Sequence, residues 1–326
     1  MRVDRAPRST LLEGTAYPLR AHKTVRYGRD SHTHGEQRRS IQRGTLVLSR
    51  SGAMGTGEEF RVQQTAAERY ESGLAATVLL KTAAHMIDRA HIEPGLSVLD
   101  VGCGTGVVAR ECIRRAGPKG TVMGLDISRE MLEVANRVAP DVGWIQGNGE
   151  MLPFPSELFD RVLSQFALMF FPDQEHALGE MWRVLRPGGR LVVSVSGALR
   201  DSPVNLELAD LIERHVGERG RAVVEDIWTS AASEQEALFT RAGIATATLT
   251  TEYETTEYPS IEAFVETEVR GWGPLSELVD DTTLDSLVDD ARHELAPRLS
   301  GDGHLRFDSP YHMVVAVKGL QPDPHR

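Results

Sequence analysis

Cysteine is nearly absent from this 326-residue chain, which holds two, Cys103 and Cys112. They fall in a glycine turn and in the helix expected after it. That placement argues against a disulfide and leaves too few thiols for a structural zinc site, so a reducing, cytoplasmic setting is expected. Long apolar runs are missing as well: none approaches the ~20 residues that a membrane helix needs. No early apolar core with a cleavage site points to secretion. No set of His, Cys, Asp and Glu has metal-ligand spacing, so no metal is expected. Basic residues are too few to balance the acids, 36 Lys+Arg against 47 Asp+Glu, for a net charge of −11. The deficit is uneven. Residues 1–50 hold 11 Lys+Arg and 4 Asp+Glu, a net of +7, which leaves −18 on the remainder. An acidic body argues against gripping a nucleic-acid backbone, although the basic arm alone could meet something anionic.

What is present is an ordinary globular composition, 40% hydrophobic and 25% charged. The length allows one large α/β domain with elaborations. Residues 1–53 lack hydrophobic periodicity and are rich in Arg, Ser, Thr, Gly and His. They read as a disordered basic extension, with Met54 as the natural beginning and His32 and His34 as isolated histidines. Residues 54–95 carry a helical pattern, with Phe60 and Tyr70 as candidates either to close over a ligand or to pack the core.

The chain is organised around Ser97–Gly106, SVLDVGCGTG. A short apolar strand breaks at Gly102, Gly104 and Gly106, interleaved with Cys103 and Thr105, and a helix resumes at about Val107. Glycines at alternate positions let backbone approach a ligand where a Cβ would collide, and the new helix points its unpaired N–H groups at that ligand. A dinucleotide fingerprint needs glycine at the sixth position, where Val107 stands. Asp100 would repel a pyrophosphate and suits a ligand with positive charge. A second strand, Thr121–Asp126, ends in an acid 22 residues past Gly104. That spacing places a carboxylate where a Rossmann-like fold binds ribose hydroxyls, and Asp126 could accept from both. Ser128 reads as the N-cap of the next helix, which brings Ile127 and Met131 toward the same ligand.

The string VLDVGCGTG resembles motif I of the class I S-adenosylmethionine methyltransferases. Later blocks extend the resemblance over roughly residues 96–196: G-N-G-E at 147–150, L-P-F at 152–154, F-D-R-V at 159–162 and R-P-G-G-R-L at 186–191. It is most similar to the ubiquinone/menaquinone-biosynthesis group and related small-molecule methyltransferases. The resemblance implies a Rossmann-like α/β fold, a mostly parallel seven-stranded sheet flanked by helices, with helical cap insertions. It divides the chain into covering helices at 54–95, a cofactor core at 96–200, a helical insertion at 201–240, and last strands with a helical cap at 241–326. The implied cofactor is S-adenosylmethionine, with S-adenosylhomocysteine as product. Gly147, Asn148, Gly149 and Glu150 stand where the family usually has G-D-A-E, whose Asp accepts from the adenine amine; Asn148 could accept without charge. Ser164 and Gln165 end the fourth strand, where such enzymes bring acceptor and methyl together.

No (D/N)-P-P-(Y/F/W) string is present, which counts against methylation of nucleobase or protein amide nitrogens. The expected acceptor is a small, largely apolar molecule, quinone-type or a specialised metabolite, methylated on oxygen or carbon. Two alternatives stay open: a macromolecule methyltransferase that holds RNA with the basic arm, and a non-catalytic protein that binds the cofactor. An NAD-dependent oxidoreductase is disfavoured by Val107 and Asp100. A general base is not evident; His312, at the opening of the last strand, is the best of five histidine candidates. Leu284, Leu287, Val288, Ala291 and Leu295 form an apolar helical stripe, either a cap face or a homodimer face.

Overall fold

The computed structural model describes residues 64–228 and 231–319. The basic extension, Met54 and Phe60 lie outside the described residues.

Thr65 opens the first helix with a reciprocal cap, accepting from the Glu68 N–H while Glu68 accepts from its own. That helix runs as α1 (Ala66–Tyr70), a π-helical stretch (Glu71–Leu79) and α2 (Leu80–Ala90). The core then alternates β1 (Ser97–Val101), α3 (Val107–Ala116), β2 (Thr121–Asp126), α4 (Arg129–Val138) and β3 (Gly143–Gln146). β4 (Phe159–Gln165), α5 (Gln174–Val184) and β5 (Leu185–Ser196) complete it. Three helices follow, α6 (Pro203–Val216), α7 (Glu218–Ile227) and α8 (Ala232–Arg241). Then come β6 (Thr248–Tyr258), α9 (Ile261–Gly271), α10 (Gly273–Leu278), α11 (Asp281–Glu294) and β7 (Leu305–Val317).

The strands of the described residues form one seven-stranded sheet in the order β3-β2-β1-β4-β5-β7-β6. β1 to β5 pair in parallel, and β7 runs antiparallel to both β5 and β6. The mostly parallel α/β fold expected from the sequence is thus observed. β1 sits near the middle with Val98, Leu99 and Val101 fully buried, as a parallel strand covered on both faces requires.

The R-P-G-G-R block at 186–190 is not a simple turn between α5 and the fifth strand. Instead β5 already begins at Leu185, which pairs with Phe159; pairing resumes at Arg161 with Arg190, so residues 186–189 bulge between them. The Gly188 N–H donates to Lys318 O and the Lys318 N–H to Gly189 O, which pins the bulge to the end of the last strand. The stripe on α11 is not a dimer face. Leu287, Val288, Ala291 and Leu295 are all buried within the single chain, in the cluster that holds Phe264 and Val265 of α9 and Leu211 of α6.

The sixth strand runs to Tyr258, and the seventh starts at Leu305, seven residues before His312. β6 is an edge strand whose residues 248–255 keep largely polar side chains, so apolar alternation could not mark its full length.

The C-terminal end of α9 packs directly on the π-helical stretch. A Cβ at Gly271 would stand 2.9 Å from Leu74 Cβ, backed by a side chain that is fully buried. Gly271→Ala should therefore cost about 1–3 kcal/mol in a denaturant melt. Much of that cost should disappear in a Leu74→Ala background; purely additive losses would show that the two helices do not meet there.

Candidate cofactor site

A cavity of about 320 Å³ opens at the C-terminal ends of β1, β2 and β4, where parallel α/β sheets bind their ligands. The loop after β1 contributes Gly102 and Gly104, and the end of β2 contributes Asp126 with Ile127, Ser128 and Met131. Gly147–Glu150 close one side after β3, Gln165–Ala167 stand after β4, and Tyr70 reaches in from the end of α1. Gly271–Pro274, at the junction of α9 and α10, cover it from the insertion between the last two strands.

Asp126 is the best-determined group in this cavity. Its Oδ2 accepts the Gly104 N–H and its Oδ1 the Ser128 N–H, each at 2.8 Å. A carboxylate oxygen has a second lone pair, so each can still accept one hydroxyl of a vicinal diol. Burial pushes the carboxyl above its ordinary range, and the backbone N–H groups pull it back. Beside it, Ser128 Oγ accepts the Met131 N–H and caps α4 as the sequence requires. Ile127 is 71% exposed, an apolar side chain presented at the cavity rim with nothing to pack on. The Tyr70 ring lies over the glycine loop, its hydroxyl 3.3 Å from where a Gly104 Cβ would stand. Burial, Asp126 and Asp100 all push its ionisation up, so Tyr70 keeps its proton.

Asp100 does not line the cavity. It is 1% exposed beneath the loop, where its Oδ2 accepts the Ala109 N–H at 3.1 Å. It thereby holds the first turn of α3. Its Oδ1 has no partner among the described residues.

Of the three loop glycines, Gly102 and Gly106 make room for the protein's own side chains. All have positive φ, 69°, 53° and 86° for Gly102, Gly104 and Gly106. A Cβ would collide with Ala167 at Gly102 and with the Trp144 ring at Gly106, 2.4 and 2.3 Å away. Trp144 also crosses Gly124, where a Cβ would stand 2.4 Å from its ring.

The other expected residues divide. Met131, Gly147, Asn148, Gly149, Glu150 and Gln165 line the cavity; Cys103, Thr105, Gly106 and Ser164 do not. Cys103 and Thr105 are buried in the loop, Gly106 begins α3, and Ser164 is turned away by the strand's alternation. Asn148 Oδ1 accepts the Glu150 N–H at 2.9 Å, so its first task is to form the turn, with one lone pair left for a ligand. Gln165 Nε2 donates to Leu79 O at 2.9 Å, at the end of the π-helical stretch.

His312 is not brought to the cavity. It is buried mid-strand in β7 with Nδ1 3.0 Å from Thr251 Oγ1, while the adjacent Tyr311 faces a second, smaller cavity. Sequence reasoning missed Phe166, Phe170, Phe171 and Trp272, which line the main cavity. The first three follow β4 with no polar motif to mark them. Trp272 lay within a visible signal, an aromatic between two glycines in G-W-G-P at 271–274.

Burial lifts the Asp100 carboxyl to about 7 from 3.8; the Ala109 N–H opposes the shift and Asp126 adds to it. In the unfolded chain the group ionises near its ordinary value. From about pH 4 to pH 7 the folded state therefore keeps a proton that the unfolded state has lost, and stability falls as pH rises through that window. Asp100→Asn removes this dependence. Across that window the variant should gain on the wild type by about 2–4 kcal/mol in ligand-free melts. Parallel stability curves would show that Asp100 ionises normally.

Comparisons with known proteins agree with this geometry. Residues 99–193 match the family model described as a methyltransferase domain. The ubiquinone/menaquinone biosynthesis C-methyltransferase UbiE of Bordetella parapertussis is 45% identical over 114 residues, 34% of this chain and 44% of that protein. Its counterpart from Hahella chejuensis is 43% identical over 113 residues, 33% of this chain and 45% of that protein. The chain thus spans less than half the length of these relatives. Among solved structures, an Anabaena variabilis protein assigned as a methyltransferase from an antibiotic biosynthesis pathway has a TM-score of 0.54 at 18% identity. It covers 73% of this chain and 97% of its own. A Bacillus halodurans protein, also assigned as a methyltransferase, has a TM-score of 0.53 at 19% identity, covering 74% of this chain and all of its own. Residues 99–193 thus match the methyltransferase domain, on a fold that these solved structures share.

Proposed function

We propose that the protein is an S-adenosylmethionine-dependent methyltransferase that modifies a small, largely apolar acceptor and releases S-adenosylhomocysteine. The observation that carries this reading is the Asp126 carboxylate, oriented by two backbone N–H groups at the cavity with a lone pair left on each oxygen. Such a group fits the ribose diol of an adenosyl ligand. Ile127 and Met131 supply apolar contact for a purine, and Asn148 has an acceptor beside it. Asp126 places a carboxylate beside the glycine loop, favourable to a cationic ligand. The relatives named for quinone C-methylation support an apolar acceptor.

Bound in this way, the cofactor supplies an electrophilic methyl group attached to a positively charged sulfur. The protein's part is orientation and exclusion of water, worth up to ~7–11 kcal/mol of a bimolecular barrier. Phe166, Phe170, Phe171 and Trp272 form an apolar wall suited to both tasks. The helical insertion that delivers Trp272 is read as the cap, and the helix carrying Tyr70 as the cover of the cofactor. The reading includes a cytoplasmic setting, supported by two free, buried cysteines. Among the described residues no helix is long and apolar enough to cross a membrane.

Calorimetric titration of S-adenosylmethionine, S-adenosylhomocysteine and NADH tests the cofactor. The two adenosyl ligands should bind in the micromolar range and NADH should not. Asp126→Ala should weaken both by about 100-fold, since it removes two charge-assisted acceptors at once. Binding of NADH alone, or of none of the three, would refute the proposal.

A further inference from the structure

Phe166 and Trp272 line two cavities at once, the cofactor cavity and an adjoining smaller one. Phe166 is held there with φ 46°, a conformation a bulky side chain adopts only when its surroundings impose it. The smaller cavity has a volume of about 40 Å³, room for about three waters or one small ring. Tyr258, Tyr311 and Trp228 add three more aromatic rings to its wall. Among the described residues its only charged lining side chains are Glu254 and Glu268. Glu268 is 7% exposed; Tyr258 Oη donates to its Oε1 at 2.6 Å and Trp272 Nε1 to its Oε2 at 3.0 Å. Glu254 pairs with Lys81 at 3.4 Å and lies 3.8 Å from His85 Nδ1, both half-exposed side chains outside the lining.

We propose that this second cavity receives an aromatic ring of the acceptor, whose reacting atom extends past the shared wall into the cofactor cavity, and that it selects an aromatic hydrogen-bond donor without negative charge, a phenol or an arylalkylamine. The inference rests on the methyltransferase reading and deepens it. Glu268 is a buried acceptor in an aromatic-lined cavity, which favours a neutral donor or a cation. A carboxylate or phosphate on the acceptor would enter beside two acidic side chains, with no cation among the described residues of the wall to offset the desolvation. Trp272 joins the two sites physically: its N–H holds Glu268 while its ring stands at the cofactor cavity. Phe166 and Trp272 form the wall that the two cavities share.

Three probes of one shape test the selection: 4-ethylphenol (neutral), tyramine (cationic) and 4-hydroxyphenylacetate (anionic). Binding is read by ligand-observed NMR on the full chain, with and without S-adenosylhomocysteine, whose own binding is measured in the same samples. The first two should bind, and the acid should bind at least about tenfold more weakly. Glu268→Gln should cut the discrimination between tyramine and the acid to less than about threefold. Glu254→Gln, at the less buried wall, should reduce it in part without threatening the fold. Equal binding of the acid, binding of none of the three, or discrimination unchanged in both variants would overturn the inference. If the probes rank as stated but S-adenosylhomocysteine does not bind, the cavity's selectivity stands and the cofactor reading fails instead.

Discussion

The carboxylate of Asp126 accepts the N–H groups of Gly104 and Ser128 and so fixes the loop after β1 against the loop after β2. Most of the site depends on that clasp. It sets the position of the glycine loop, whose other side is loaded by Trp144 across Gly106 and Gly124 and by Ala167 against Gly102. Asp100 completes the arrangement from below by holding the first turn of α3 through the Ala109 N–H. A loop with three positive-φ residues would be costly to order by itself. Here two carboxylates and an indole hold it in place before any ligand arrives.

The covering elements are bound to this core through few but specific contacts. Gln165 reaches from the end of β4 to Leu79 O, and Leu74 of the same π-helical stretch meets Gly271 of α9. Arg110 of α3 pairs with Glu71, tying that stretch to the helix that Asp100 caps. The chain between Tyr70 and Leu80 thus contacts the cofactor loop's helix, the end of β4 and the insertion together. π-Helical segments are uncommon and concentrate at functional sites, consistent with this one beginning directly after Tyr70.

Legibility in the sequence followed the physics of each element. β1, β2 and the Ser128 cap could be read closely because buried parallel strands show as apolar runs and caps show as single residues. Asp126 was legible through its spacing to Gly104. Asp100 was legible as a special residue but not in its role, since a carboxylate that caps a helix and one that faces a ligand look alike in sequence. The loop glycines misled in the same way: the need for no Cβ was clear, but Trp144, more than thirty residues away in sequence, is what occupies the space at Gly106. His312 failed by one residue of register, because its neighbour Tyr311 turns to the other face of β7. Phe166 and Trp272 were out of reach because their importance arises only where the sheet and the insertion meet.

The insertion that carries Trp272 leaves and re-enters the sheet at one place. Tyr258, the last residue of β6, is the register partner of Leu305, the first of β7. Residues 259–304 are therefore a closed excursion between two strand ends that already face each other across the ribbon. Its length and sequence can change without shifting the pairing of any strand or moving the Asp126 clasp. The residues it lends to the two cavities, Glu268 and Gly271–Pro274, are therefore carried apart from the strands that hold Asp126. The ribbon of β6 and β7 is the joint at which that stretch of chain leaves the sheet and returns to it.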